Sequence, residues 1–166
     1  MKNLIAIFIV ILILQSCSEK KGSGKNHEIM QKRFDSLSTM IAKIKPGLGE
    51  IMTGIQLHHE KLWFAGTEQN WKLADFEIGE IKESVEQAEA IETDRPETKT
   101  LVMIKPVIDS LAKSISDKDL KGFKRNYTSL TNTCNSCHTL NHFEFNVIKV
   151  PTTPPVSDQE FAPGKN

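Results

Sequence analysis

The chain has 166 residues, 39% of them hydrophobic, and its 21 Lys and Arg balance 21 Asp and Glu. A formal charge of zero removes the basic footprint of a nucleic-acid binder and offers no electrostatic reason for membrane attachment. The length suits one domain with its own core and leaves little room for a second.

Residues 1–16 read as an export signal. Lys2 precedes an apolar run from Leu4 to Leu14, too short for a membrane span of about 20 residues and the right length for a signal-peptide core. Leu14-Gln15-Ser16-Cys17 then resembles a bacterial lipobox, in which the signal is cut before the Cys and that Cys is diacylated; Gln15 stands where a small residue is usual. An ordinary signal peptide with a free Cys17, or an uncleaved anchor, is the alternative. The expectation is an exported lipoprotein at the bacterial cell envelope, facing the periplasm and held to either membrane by acyl chains. Ser18 to Asn26 is polar, contains Gly22 and Gly24, and suits a flexible tether. Residues 17–45 thus comprise this tether and an amphipathic helical segment carrying Phe34, Leu37, Ile41 and Ile44; its phase allows one long helix bent at Pro46, but Pro46-Gly47 favours a break, since both residues oppose helix continuity.

Beyond the break the hydrophobic period is helical and no stretch alternates as a half-buried strand would, so the predicted fold class is all-α. Four apolar stripes succeed one another. The first holds Leu48, Met52, Ile55, His59 and Leu62; the second Trp71, Ala74, Ile78, Ile81, Val85 and Ala88. The third holds Leu101, Ile104, Ile108, Leu111 and Ile115, and the fourth Leu120, Phe123, Tyr127, Leu130, Cys134 and Cys137. Alternating spacings of three and four, with short breaks at Gly66–Asn70, Thr93–Pro96 and Ser116–Asp117, predict an antiparallel four-helix bundle over residues 46–145. Pro106 leaves the phase of the third stripe unbroken, which favours a kinked helix over a start at the proline. Ser116-x-x-Asp119 suits a capping-box-like start for the fourth helix. Residues 146–166 contain Pro151, Pro154, Pro155 and Pro163 and read as an extended tail, with Phe161 docked on the helices or with no fixed structure.

The fourth stripe runs into Cys134-Asn135-Ser136-Cys137-His138, the Cys-x-x-Cys-His sequence at which haem is covalently attached. Residues three apart share a helical face, so both thiols can meet the two vinyl groups at one porphyrin edge, and His138 brings an imidazole beneath the ring as proximal iron ligand. Zinc would need a second Cys/His cluster at suitable spacing, and a thioredoxin-like pair would need a βαβ setting; neither is found. Cysteine accounting agrees: Cys17 takes lipid, Cys134 and Cys137 take haem c, and no thiol remains. The haem is expected to replace core side chains near the C-terminal end of the fourth helix.

With the motif in that position, Asp119-Leu120, Tyr127 and Leu130 before it, and a first bundle helix ending at Gly66, the chain resembles the cytochrome c′ family over roughly Gly47 to Phe143. That family includes Met-ligated low-spin members. Its aromatic-Arg pair after the motif is replaced here by Leu140, Asn141, His142 and Phe143. The resemblance implies a four-helix bundle that either transfers electrons or binds a diatomic gas.

The sixth iron position decides between these. In an up-down-up-down bundle the start of the first helix lies beside the end of the fourth, which puts Met52 on the core face near the motif. His59 shares the face but lies seven residues on, about 10 Å along the axis, and is the weaker candidate for the sixth ligand; His58 is off the face. Plain core packing is the alternative for Met52, and satisfied interior histidines the favoured reading for His58 and His59. His142, one turn past His138 on the same helix, cannot readily reach the opposite haem face. Trp63, Phe64 and Trp71 should close the bundle end. Glu77, Glu80, Glu83, Glu86, Glu89 and Glu92 recur every third residue and read as a solvated face, with docking of a basic redox partner as the functional version. No nucleophile with a neighbouring base and no phosphate loop is present, so an enzyme is not expected. The sequence points to a membrane-anchored monohaem c-type cytochrome exchanging single electrons with unidentified redox proteins. A gas-binding haem protein is the alternative, and a homodimer stays open.

Overall fold

The computed structural model describes residues 21–164. The expected signal segment 1–16 and the expected lipidation at Cys17 lie outside them. The described residues are all-helical, with five α-helices and one 3-10 segment and no strand. The chain divides at Pro46 into two units.

The first unit contributes α1, Lys21–Ile44. Lys21 to Asn26, expected as tether, form its opening turns, because the helical pattern of the later residues extends backward through Gly22 and Gly24 at only about 1 kcal/mol for each glycine. Its apolar positions Ile29, Met30, Phe34, Leu37, Met40, Ile41 and Ile44 are all exposed.

The second unit holds α2, Leu48–Thr67; α3, Trp71–Ile91; the 3-10 segment Pro96–Ile104; α4, Lys105–Ser116; and α5, Leu120–Leu140. Helix starts reflect local chemistry. Gly47 opens α2 without a side-chain cap. Asn70 caps α3 by accepting from the Leu73 amide at 3.3 Å, and Asp119 caps α5 by accepting from the Gly122 amide at 3.0 Å. Asp119, not Ser116, is therefore the cap; Ser116 is the last residue of α4. Pro106 also differs from expectation. It sits in the first turn of α4 with 3-10 backbone before it, since a ring without N–H is tolerated at a helix start and clashes with the carbonyl four residues back inside one.

One buried core draws on every element of this unit, including Leu62, Ile81, Leu101, Leu111, Phe123 and Tyr127. At the end formed by the C-terminus of α2 and the N-terminus of α5, Trp63 meets Tyr127 at 4.8 Å between ring centroids, and Trp71 meets Phe123 edge-on at 6.2 Å. The tail is ordered against the helices rather than loose. Phe161 is 6% exposed and packs on Phe64 at 5.6 Å, and Asn70 donates to the Ala162 carbonyl at 3.4 Å.

The glutamate row is not one solvated face. Residues three apart on a helix drift by about 60° per step, so six of them sweep most of the circumference. Glu77 is 1% exposed and Glu92 is buried too. The Glu77 carboxylate accepts from His58 Nδ1 at 2.7 Å, while its other oxygen has no hydrogen-bond partner among the described residues.

Gly66 marks the tightest contact in the core. A Cβ there would fall inside the Phe123 ring, whereas one at Gly79, in the middle of α3, would meet nothing within 4 Å. Gly66→Ala should therefore lose about 1–3 kcal/mol in chemical denaturation through overpacking, and Gly79→Ala should gain up to about 1 kcal/mol in helix propensity. Equal effects at the two positions would contradict this packing.

Candidate functional site

Away from the aromatic end, α2 and α5 flank a cavity of about 410 Å3. Its size suits a small organic cofactor, for which sites of roughly 300–1,000 Å3 are usual. Cys134, Cys137 and His138 line it from α5, and Leu48, Met52, Ile55 and His59 line it from α2. Leu101 and Ile104 of the 3-10 segment add to its apolar wall. All five site residues singled out in this part of the sequence thus face one cavity.

The two thiols are not joined in a disulfide. Burial pushes the Cys134 thiol up to about 12, with the neighbouring Cys137 adding to the shift, so Cys134 stays protonated at neutral pH. Cys137 Sγ lies 3.2 Å from the Thr100 hydroxyl. Asn141 Nδ2 ties this corner together, donating to Thr100 Oγ1 and to the Cys137 carbonyl, each at 2.8 Å.

His138 is set by the chain beyond the helix. α5 ends at Leu140, and His142 takes a left-handed φ of 64°, so His142 is not one helical turn past His138 as the sequence suggested. The chain folds back instead. Asn135 holds the return in a reciprocal pair, donating from Nδ2 to the Ile148 carbonyl and accepting the Ile148 amide on Oδ1, both at 2.8 Å. The Asn146 carbonyl then sits 2.6 Å from His138 Nδ1. A carbonyl can only accept, so Nδ1 carries the proton and Nε2 keeps its lone pair for a metal.

His59 is built differently. It is 3% exposed, stacked on Tyr127 at 4.5 Å, and both ring nitrogens are engaged. The Tyr127 hydroxyl donates to the His59 carbonyl at 2.7 Å, so its oxygen accepts from Nδ1 at 3.0 Å. Nε2 lies 2.9 Å from the Thr131 hydroxyl, whose single proton is shared between Nε2 and the Tyr127 carbonyl at 3.0 Å. Burial lowers the His59 imidazole from 6.5 to about 4, which keeps it neutral. Met52, by contrast, is half-buried on the cavity wall, and its thioether sulfur is a soft donor.

An ion pair on the cavity wall was not foreseen. Arg95 and Glu97 line one side as an ion pair at 2.8 Å, and the hydrogen bond from Arg95 holds Glu97 below the usual carboxylate range. They lie between two apolar stripes, where periodicity carries no information. A second cavity of about 270 Å3 adjoins the first and shares Gln56, His59, Asn146 and Ile148 with it; the tail from Val147 to Pro155 forms its other wall.

No family model, no curated protein and no solved structure matches the chain.

The neutral, buried His59 makes stability depend on pH. Its folded value is depressed, so the stabilisation is complete above about 6.5 and drains as pH falls toward about 4, where it levels off. Denaturation at stepped pH should show the parent losing up to roughly 3 kcal/mol more than His59→Gln across that window. Parallel curves for the two proteins would contradict the burial argument.

Proposed function

We propose that the chain is a lipid-anchored monohaem c-type cytochrome, built as a four-helix bundle, that passes single electrons at the bacterial cell envelope. The observation that carries the proposal is the convergence of Cys134, Cys137, His138 and Met52 on one largely apolar cavity, with the Nε2 lone pair of His138 left free. Four helices that share one core, together with the likeness to the cytochrome c′ family, support the bundle.

The residues fit a covalently held porphyrin. Two unpaired thiols one helical turn apart would hold the macrocycle as thioethers, and His138 and Met52 would offer an imidazole nitrogen and a thioether sulfur to its iron. A haem so bound supplies a reversible one-electron couple. The chain's own side chains would set where that couple lies. Leu48, Ile55, Leu101 and Ile104 would keep water and its high dielectric away, the Asn146 carbonyl would raise the basicity of His138, and the Met52 thioether would favour the reduced metal. His59 would stay out of the coordination sphere, since freeing either nitrogen breaks a buried hydrogen bond costing about 1–3 kcal/mol. Phe145 and Val147, 78% and 71% exposed, flank the residue that holds His138 and give a redox partner an apolar landing beside the ligand. Acylation at Cys17 would keep the domain at the membrane.

Replacing Cys137 with Ala should leave at most one thioether, and replacing Cys134 as well should abolish haem staining on a denaturing gel. Staining that survives the double change would overturn the assignment of these thiols.

Met52→Ala separates electron transfer from gas binding. The parent should be low-spin and indifferent to carbon monoxide; the variant should be high-spin, lower in potential, and reactive with carbon monoxide. A parent already high-spin and unchanged by Met52→Ala would make Met52 a packing residue and favour the gas-binding reading. A spin change on His59→Ala instead would replace Met by bis-His ligation.

A further inference from the structure

Seven of the fourteen exposed large hydrophobic residues among those described lie on α1. At about 100° per residue they fan over an arc of roughly 140°, from Ile29 and Met40 at one margin to Ile41 and Phe34 at the other. A coiled-coil seam is narrower. Charge is sorted about this arc. Lys25, Lys32 and Lys43 line the margin beside Ile29, while Glu28 and Asp35 occupy the far side of the helix; Lys32 reaches back to Glu28 at 2.8 Å. α1 carries five Lys and Arg against two Asp and Glu, a net charge of +3 in a chain whose total is zero. Balance over the whole sequence therefore conceals a basic amphipathic helix. Arg33 falls within the apolar arc with both acidic residues on the opposite side. Between two copies of α1 it would be buried without a partner, whereas on a bilayer its long stem can carry the guanidinium out to the headgroups.

We propose that α1 is an interfacial helix lying in the plane of an anionic lipid surface, with its apolar arc in the headgroup–acyl boundary and its lysines at the phosphate level. No described helix is long and apolar enough to cross a membrane, so α1 would lie along the surface. Its first residue is four positions past Cys17 and seven past the apolar run ending at Leu14, spans of at most about 14 and 25 Å of extended chain. Either attachment brings the helix to the bilayer. The +3 charge then selects anionic over zwitterionic headgroups, at about 1 kcal/mol or roughly five-fold per basic residue.

The test uses the full chain, reconstituted into vesicles of phosphatidylcholine alone or of a mixture rich in phosphatidylglycerol, each with a brominated-lipid quencher. Phe34→Trp and Leu37→Trp report the apolar arc and Asp35→Trp the opposite face, after subtraction of the parent signal from Trp63 and Trp71. The test rests on the N-terminal attachment proposed above: the fraction of chain on phosphatidylcholine vesicles reports that attachment, and the difference between the two vesicle types reports α1, independently of any cofactor. The expected result is quenching of the first two reporters on anionic vesicles and not of the third. Lys25→Gln, Lys32→Gln and Lys43→Gln together should reduce the docked fraction relative to the undocked by about 100-fold, by the same per-residue figure. Unquenched arc reporters on anionic vesicles would overturn the proposal. So would arc reporters already shielded from aqueous iodide without lipid: shielding lost on dilution marks a second copy as the occupant, and shielding that persists marks the chain's own helices.

Discussion

The Tyr127 hydroxyl donates to the backbone carbonyl of His59 across a fully buried interface, and the organisation of the second unit depends on where that bond places α2 against α5. The two helices are locked there by stacked rings and by a chain of hydrogen bonds through His59 and Thr131. Trp63 and Phe123 pack against Tyr127 at that end. Further along, toward the N-terminus of α2 and the C-terminus of α5, small and medium apolar side chains replace the rings and a cavity opens. Removing one partner of such a bond would leave an unsatisfied buried group, so the lock and the cavity it borders are energetically coupled.

The second constraint lies outside the helices. Asn135, one of the two residues between the motif cysteines, grips Ile148 through both amide atoms and thereby brings the Asn146 carbonyl to His138. The orientation of the imidazole is thus fixed by a stretch of chain eight residues away rather than by its own helix. Such outer contacts decide which nitrogen of a histidine is free to bind a metal and how basic it is. The same return segment walls the second cavity and leads into the tail that Phe161 anchors on Phe64.

How much of this could be read from the residues alone depends on the range of each interaction. Apolar stripes at spacings of three and four located the helices, because burial of one face is a local property of sequence. The alignment of Met52 with Cys134 and Cys137 comes from the same pattern, whereas the break at Pro46-Gly47 was legible from residue type, since both residues oppose helix continuity. Periodicity failed where the determinant was something else. A spacing of three made the glutamates look like a face although the helix rotates them apart, and Glu77 ended buried against His58. An unbroken stripe hid the 3-10 turn before Pro106, since 3-10 and α backbone can carry the same apolar spacing over a few residues. The fold-back after Leu140, the ordered tail and the Arg95–Glu97 pair at the cavity all depend on partners distant in the sequence or on a loop, which no local pattern encodes.

The central claim is that Cys134 and Cys137 hold a haem covalently in the cavity between α2 and α5. The most direct measurement is the intact mass of the denatured protein, produced in a host with the machinery for haem attachment and treated with a thiol-alkylating reagent. One haem should remain on the polypeptide through denaturation, with residues 134 and 137 refractory to alkylation. A polypeptide of unmodified mass that takes up alkyl groups at both positions would contradict the account.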